Sequence, residues 1–333
     1  MLEVALLTSC PDPLWRQLPG GDKDHHGVRF LLEREPAECD LCVVYHDIDK
    51  PMSVACRSGL AVLVTVEPEI LTSHYPQAFL DQFDAVLSFR QDLKHPAVYR
   101  CPPMIPWWVG VSGGHRQERR VNLVYEDLQK NIDPAEKRLA CSVICSSLAY
   151  TANHRARLDF VNQLCDRSQQ IDRFGFGHRP IDDKWQAMRD YRVHVGIENS
   201  SCPDYWTEKA ADAFLSECLL VYWGCPNLED YFPQDAFVRL DLGDVDGAVA
   251  LLEEVCAKGF YERRRPAILE AKRLVLERYN LFTSLADQLP KISKGEPGIR
   301  QMKPQNWYQG SLRKRFKRRW KHYTGGALRQ RKA

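Results

Sequence analysis

The stretch from Tyr191 to Pro233 constrains the fold of this chain more than any other. Val193 to Ile197 is a short apolar run, typical of a strand buried on both faces, and it ends abruptly in the polar residues Glu198 to Ser200. A helix is predicted to begin near Thr207, whose hydroxyl can cap free N–H groups, and Leu219 to Tyr222 has the pattern of a second buried strand. Because ligands bind outside the carboxyl ends of strands in open α/β sheets, we expect a binding site beyond the first strand.

The first turn of that predicted helix carries a lysine, Lys209. A helix N-terminus bears partial positive charge, so a lysine there opposes the dipole unless an anion lies beside it. Backbone N–H groups, the dipole and Lys209 together would form a cradle for a diphosphate, and Glu208 would accept hydrogen bonds from sugar hydroxyls. A solvated Glu–Lys pair on an ordinary surface helix explains the same spacing.

The motif around this helix resembles the signature of family-10 glycosyltransferases, the α-1,3/1,4-fucosyltransferases. In that family an apolar strand is followed by Glu-Asn, by Tyr-x-Thr-Glu-Lys, and by a second apolar strand that ends in glycine. The matching residues of this chain are Asn199, Tyr205, Thr207, Glu208, Lys209, Gly224 and Pro233. The resemblance implies an inverting transferase that moves fucose from GDP-fucose to a hydroxyl of an acceptor glycan, without a metal or other cofactor. It places Asn199, Tyr205, Glu208 and Lys209 at the donor site.

The same resemblance implies the GT-B fold, in which two Rossmann-like domains face each other across a cleft. The first third of the chain fits an α/β domain, because apolar runs of strand length alternate there with polar segments. These runs are Val4 to Leu7, Leu41 to Tyr45, Ala61 to Val66 and Ala85 to Leu87. A polar segment from Val109 to Lys137 is interpreted as a linker with a local hairpin around Val121 to Tyr125, and a further strand is predicted near Leu139. We predict an acceptor-binding domain over residues 1–125, a donor-binding domain over 126–296 and a basic helical tail over 297–333.

A general base is expected at the end of a strand in the first domain. The family has an acidic residue there, and Glu67 in the sequence VTVEPEI matches it, although Val66 and Pro68 replace the family's flanking glycine and asparagine. An inverting transferase needs one carboxylate to take the proton of the acceptor hydroxyl as that hydroxyl attacks the sugar. Glu69 is the rival for this role, and either residue fits an ordinary surface position equally well.

An arginine for the diphosphate is expected at Arg157. The family carries Arg-x-x-Phe after the first strand of its donor domain, and Arg157 to Phe160 fits this pattern. A guanidinium can bind phosphate oxygens through two N–H groups and offset the charge that develops on the leaving diphosphate. Without the resemblance, an exposed helical arginine accounts for Arg157.

Other polar motifs have simpler explanations. Asp182-Asp183 is not assigned to a metal, and neither are His25, His26 and His46, which lack partners at ligand spacing. The twelve cysteines are scattered and many lie in apolar runs, which is typical of reduced, buried thiols and favours a cytoplasmic protein; Cys39-x-x-Cys42 is interpreted as packing. One departure from the family pattern is Glu217 and Leu220, which replace a glycine and a proline and predict a local change in the turn between helix and strand.

The tail combines aromatic and basic residues. No acidic residue follows Glu296, whereas twelve lysines and arginines lie between Arg300 and Lys332. On a helix, Leu312, Phe316, Trp320 and Tyr323 would form one stripe, which suits the surface of an anionic membrane. Nucleic-acid binding and a solvated disordered tail are the alternatives, and we favour a protein peripheral to the inner face of the membrane that binds no nucleic acid. No apolar run approaches the length of a membrane span and no signal peptide is recognised.

Two alternatives to the fucosyltransferase interpretation stay open at this stage. One is a GT-B transferase that uses another nucleotide sugar. The other is a non-catalytic relative that binds glycans or membranes.

Overall fold

A computed structural model describes residues 1–9, 13–32, 38–66, 75–113, 119–147, 152–293 and 295–308. The strands are β1 (Leu2–Thr8), β2 (Asp24–His25), β3 (Val28–Leu31), β4 (Glu38–Tyr45), β5 (Met52–Val64), β6 (Ala85–Ser88), β7 (Val98–Arg100), β8 (Val111–Ser112), β9 (Arg120–Val121), β10 (Leu139–Ile144), β11 (Ile171–Phe174), β12 (Tyr191–Ile197), β13 (Leu219–Trp223), β14 (Phe237–Arg239) and β15 (Gly298–Met302). The α-helices are α1 (Gln77–Leu80), α2 (Tyr125–Gln129), α3 (Ala152–Arg167), α4 (Glu208–Leu215), α5 (Val245–Val255), α6 (Phe260–Glu277), α7 (Leu281–Gln288) and α8 (Gln305–Tyr308).

The first sheet is built from the N-terminal third of the chain and one late strand. Its order is β2-β3-β1-β4-β5-β6-β7, with parallel pairs from β3 to β7 and an antiparallel pair at β2. The predicted apolar runs at Val4 to Leu7, Leu41 to Tyr45 and Ala85 to Leu87 lie inside β1, β4 and β6. β5 begins well before the predicted run at Ala61, because its first residues pair antiparallel with β15. Both faces of this sheet carry an apolar core.

The second sheet is entirely parallel and has the order β11-β10-β12-β13-β14. β12 and β13 confirm the two predicted buried strands, and α4 confirms the helix predicted between them. β10, the first strand in chain order, has β11 on one side and β12 on the other. The connections therefore diverge on either side of β10, and such a switch point opens a crevice at the carboxyl ends of the strands.

Each sheet and the helices packed on it form one unit, which we call the first unit and the second unit. The hydrophobic core of each unit contains residues from separate parts of the sequence. Trp107 and Val109, which precede residue 125, pack in the core of the second unit. Leu281 and Phe282 on α7 pack in the core of the first unit, where the Phe30 and Phe282 ring centroids are 4.9 Å apart. The limits proposed for the domains, residues 1–125 and 126–296, stay a prediction.

The chain first passes between the units at residues 107–110, which we call the crossover. The sequence predicts a polar linker that begins here at Val109, but Trp107 and Val109 are fully buried. The guanidinium of Arg16, on the turn Leu14–Gln17 of the first unit, donates to the carbonyl oxygens of Trp107 and Val109. From the second unit, Asp212 accepts hydrogen bonds from the N–H groups of Trp108 (2.7 Å) and Val109 (3.1 Å). A buried cation and a buried anion thus hold the same short stretch of backbone.

Carboxylates also hold the residues that follow the crossover. Oδ1 of Asp183 accepts from the N–H of Gly110 at 2.9 Å, and Asp182 accepts from the N–H of Gly113 at 2.9 Å. β8 pairs with β9 here, so the predicted hairpin lies earlier than expected, and α2 begins at Tyr125. The Asp182-Asp183 pair therefore has a structural role in this arrangement.

The Cys39-x-x-Cys42 pair lies in the first sheet. Cys39 and Cys42 lie fully buried on β4 beside Cys56, as the packing interpretation requires. None of the helices in the described ranges is long and apolar enough to span a membrane. Glu67, Glu69 and the tail from Ser311 to Ala333 lie outside the described residues.

Candidate functional site

The candidate site lies where β12 ends and α4 begins, at the carboxyl edge of the second sheet. Thr207 caps α4, since its hydroxyl oxygen accepts a hydrogen bond from the N–H of Lys209 at 3.3 Å, which confirms the predicted cap. The Thr207 carbonyl also accepts hydrogen bonds from the N–H groups of Ala210 (3.1 Å) and Ala211 (3.2 Å). This end of α4 therefore favours an anion through its dipole.

A buried carboxylate, Glu198, fixes the geometry of the site. It directly follows β12 and accepts hydrogen bonds from the N–H of Thr207 (2.9 Å), from the Thr207 hydroxyl (2.7 Å) and from the Tyr222 hydroxyl (3.3 Å). Gly224 leaves space for this side chain, because a Cβ on Gly224 would lie 2.4 Å from Cγ of Glu198. The glycine that ends the second strand in the motif is thus required by the close approach of Glu198.

The ammonium group of Lys209 lies between two carboxylates. Nζ is 3.2 Å from Oε2 of Glu198 and 3.1 Å from Oε1 of Glu208, and it also donates to the Thr207 hydroxyl at 3.1 Å. Burial disfavours the charge, but the two carboxylates outweigh it and raise the pKa of Lys209 above its usual range. The lysine therefore stays protonated, while one fifth of its side chain remains exposed to a ligand.

Glu208 faces a second lysine as well as Lys209. Its Oε1 is 3.5 Å from Nζ of Lys184, which in turn binds Oδ2 of Asp212 at 2.8 Å. Burial of Glu208 favours the neutral form, yet the charges of Lys209 and Lys184 prevail and lower its pKa well below the usual range. Glu208 is thus an ionised acceptor at the rim of the site, and its role toward sugar hydroxyls stays a prediction.

The structure brings Arg157 to the same site from another element. Arg157 lies on α3, and its Nη1 donates to Oδ1 of Asn199 at 2.5 Å. Nε of Arg157 is buried and has no hydrogen-bond partner among the described residues. Burial, assisted by the charges of Arg157 and Lys209, lowers the pKa of His154, one turn earlier on α3. Two predicted anion-binding cations, Arg157 and Lys209, therefore lie in one region. Asn199, which follows β12, binds Arg157 there.

Tyr205, by contrast, lies largely away from solvent. Its side chain is 2% exposed, and its ring centroid is 5.6 Å from that of Phe89, which follows β6 in the first unit. The contact joins the two units beside the site. The donor-binding role of Tyr205 stays a prediction, and its observed contact is with the first unit.

The glycine-bearing loop after β11 also borders this edge. A Cβ on Gly175 would lie 3.0 Å from the backbone of Cys145, and one on Gly177 would lie 2.2 Å from Oγ of Ser147. Both glycines also have left-handed backbone angles, with φ of 123° and 86°. The loop can therefore approach the end of β10 closely, and it presents Phe176 with its side chain 67% exposed.

Two residues that the motif did not identify belong to this network. Asp212 lies on α4 four residues after Glu208 and is fully buried, and Lys184 lies on the turn Lys184–Ala187. A carboxylate on the apolar face of a predicted helix is a signal that could have drawn attention to Asp212, because such a group needs partners when buried. Lys184 carries no comparable signal in its sequence surroundings.

Glu217, one of the two departures from the family pattern, lies in the turn between α4 and β13. Glu217 adopts a left-handed conformation with φ of 53°, the region that favours the glycine of the family pattern. Its buried carboxylate binds the N–H of Ile132 (2.8 Å), Nζ of Lys272 (2.8 Å) and Nη2 of Arg265 (3.1 Å). The glutamate thus takes a backbone conformation that glycine adopts at no steric cost, and three partners hold it there.

Residues 135–255 match the family described as "Glycosyltransferase family 10 (fucosyltransferase) C-term". A "Putative fucosyltransferase-like protein" of Arabidopsis thaliana is 27% identical over 118 residues, which are 34% of this chain and 22% of that protein. The human "4-galactosyl-N-acetylglucosaminide 3-alpha-L-fucosyltransferase 9" is 31% identical over 114 residues, which are 32% of this chain and 30% of that protein. These matches confirm the resemblance to family 10 over the segment that carries the candidate donor site, and they span less than a third of each relative's length.

Solved structures extend the likeness of fold to most of the chain. An "alpha-glucosyltransferase in complex with UDP-glucose and DNA containing an abasic site" superposes with a TM-score of 0.52 at 9% identity, over 88% of this chain and 99% of that one. An "alpha1,3-Fucosyltransferase with GDP-fucose" superposes with a TM-score of 0.48 at 17% identity, over 84% of this chain and 92% of that one. The superposition with the alpha-glucosyltransferase confirms the predicted GT-B fold.

Proposed function

We propose that this chain is a glycosyltransferase that moves fucose from GDP-fucose to a hydroxyl of an acceptor glycan, with inversion at the transferred carbon. The observation that carries the proposal is the convergence of Arg157 and Lys209 at the N-terminus of α4, within the segment that matches family 10. Two cations and the dipole of α4 favour a diphosphate rather than a neutral ligand.

The reaction uses these residues in distinct roles. The acceptor oxygen attacks C1 of fucose as the bond from C1 to the diphosphate oxygen breaks, and the electron pair of that bond leaves with GDP. Arg157 and Lys209 offset the charge that grows on the diphosphate, and the ionised Glu208 accepts hydrogen bonds from fucose hydroxyls. Asn199 orients Arg157 through the hydrogen bond between Oδ1 and Nη1. Glu67 takes the proton of the acceptor hydroxyl in this proposal. The role of Glu67 is assigned from the sequence motif alone.

The donor site as proposed needs no metal, because Arg157 and Lys209 are assigned the neutralisation of the diphosphate. Within the described part of the chain, no group of three or more His, Cys, Asp or Glu side chains is arranged to hold a metal ion.

The test is a comparison of nucleotides by calorimetry and thermal shift. GDP and GDP-fucose should bind and stabilise the chain, by ~2.7 kcal/mol at a hundredfold excess over Kd, whereas UDP and UDP-glucose should not. Loss of GDP binding on addition of EDTA would contradict the metal-free donor site. Tighter binding of a UDP-sugar would show that the donor is not GDP-fucose. A chain that binds the donor but neither transfers nor hydrolyses it would be a non-catalytic relative.

The basic tail adds a proposal about location. Its aromatic stripe and uniform positive charge support contact with the anionic inner face of a membrane, where a lipid-linked glycan would be presented to the cleft. This proposal rests on the sequence pattern from Ser311 to Ala333 alone.

A further inference from the structure

A row of charged groups leads from the candidate donor site into the body of the protein. Nζ of Lys184 lies 3.5 Å from Oε1 of Glu208 and 2.8 Å from Oδ2 of Asp212. The other oxygen of Asp212 binds the N–H groups of Trp108 and Val109 in the crossover. Lys184 thus bridges a residue of the site and the carboxylate that holds the chain where it passes between the units.

The two carboxylates that Lys184 joins differ in what they can do without it. Asp212 is fully buried, so it needs a cation to compensate its charge. The side chain of Glu208 is 20% exposed and could rotate toward solvent if Lys209, the next residue in the sequence, were its sole cationic partner. Lys184 is a second cation at the same oxygen, Oε1, from a different element, and it restricts the rotamers of Glu208 and holds Oε1 at the rim.

We infer that Lys184 is a positioning residue of the donor site, which holds Glu208 in place and ties it through Asp212 to the crossover. The inference deepens the proposed function and rests on it for the identity of the ligand. The ion pairs of Lys184 are with Glu208 and Asp212, so its effect should fall on how Glu208 meets the donor sugar.

A matched control exists in the same unit. Nη2 of Arg265 binds the fully buried Glu217 at 3.1 Å, and its side chain is 21% exposed, compared with 27% for Lys184. Glu217 lies beyond the other end of α4, and its carboxylate accepts a backbone N–H much as Asp212 does. Arg265→Met therefore removes a cation from a fully buried carboxylate of the same unit, which keeps its ion pair with Lys272, without approaching Glu208.

The experiment compares Lys184→Met, Lys184→Arg and Arg265→Met in the full chain. Lys184→Met should raise the KM for GDP-fucose by about tenfold, the scale of one charge-assisted hydrogen bond, while affinity for GDP, which lacks the sugar, changes little. Lys184→Arg should restore most of the loss, and Arg265→Met should leave both constants unchanged. Equal effects of Lys184→Met and Arg265→Met on the KM would overturn the inference.

A second measurement does not depend on the donor. In chains labelled with ¹³C-glutamate, the side-chain carboxyl signal of Glu208, assigned by its loss in Glu208→Gln, should move in Lys184→Met and stay in place in Arg265→Met. An unmoved Glu208 signal would refute the contact whatever the ligand is. If the signal moves but the wild-type chain binds no GDP, the proposed function fails and the positioning of Glu208 by Lys184 stands.

Discussion

Glu198→Gln should separate the stability of the candidate site from its affinity for a diphosphate. Oε2 of Glu198 lies 3.2 Å from Nζ of Lys209. A phosphate oxygen bound to the other side of that ammonium would lie ~3 Å from it, and hence ~6 Å from the carboxylate. At an effective dielectric constant of ~20, the repulsion between these two anions is ~3 kcal/mol for each phosphate charge.

Removing the negative charge should therefore tighten GDP binding by one to two orders of magnitude at low salt, while destabilising the fold. The amide of glutamine keeps the acceptor for the Thr207 N–H, but it no longer compensates the charge of Lys209. We expect a loss of ~1–3 kcal/mol in the free energy of unfolding, the usual range for a disrupted buried hydrogen bond to a charged group. Titration calorimetry with GDP and urea unfolding measure the two effects separately.

Two controls make the result decisive. Glu217→Gln removes a buried carboxylate that also binds a lysine, Lys272, so it should lower stability without changing GDP affinity. Glu198→Gln combined with Lys209→Met should lose the gain, because the cation that attracts the phosphate is then absent. If folded Glu198→Gln binds GDP no better than the wild-type chain, the diphosphate does not lie on Lys209 and the placement of the donor is wrong.

Three further predictions test other parts of the molecule. Glu67→Gln should leave GDP affinity unchanged and lower the rate of transfer by ~10²–10⁴-fold, and loss of activity in Glu69→Gln instead would move the base by two residues. Burial, assisted by the charges of Lys184 and Lys137, lowers the pKa of His194 to about 3. The contribution of His194 to the free energy of unfolding should therefore fall by ~1.4 kcal/mol per pH unit as the pH drops from about 6.5 toward about 3, measured by urea unfolding, and His194→Asn should flatten this slope. Removal of residues 311–333 should abolish sedimentation with anionic vesicles and preserve GDP binding, whereas an unfolded truncated chain would show that the tail packs on the core.

The strands and helix of the motif could be predicted because they obey local rules. β12 and β13 are apolar on both faces, and Thr207 is a cap directly before an apolar helix. Each of these elements can therefore be recognised from a few consecutive residues. β15 could not be found in this way, since Gly298 to Met302 is mostly exposed and becomes a strand only by pairing with the distant β5.

The site was predictable only to the extent that its residues lie in one motif. Asn199, Glu208 and Lys209 are close in sequence, and the family pattern added Arg157. Lys184 approaches Glu208 through the fold alone, and no spacing in the sequence indicates it. A left-handed glutamate at Glu217 was equally out of reach, because that backbone region is uncommon for residues other than glycine and here depends on three distant partners.

The turn Leu14–Gln17 has a mechanical consequence that concerns the molecule as a whole. Arg16 binds the crossover, and the backbone carbonyl of Gln17 accepts a hydrogen bond (2.7 Å) from Nδ2 of Asn280, where the chain returns from the second unit to α7. Both passages of the chain between the units are therefore fixed to neighbouring residues of one short turn. Rotation of one unit relative to the other about the line through these two passages would stretch neither of them. A sliding displacement of one unit along the other would strain both.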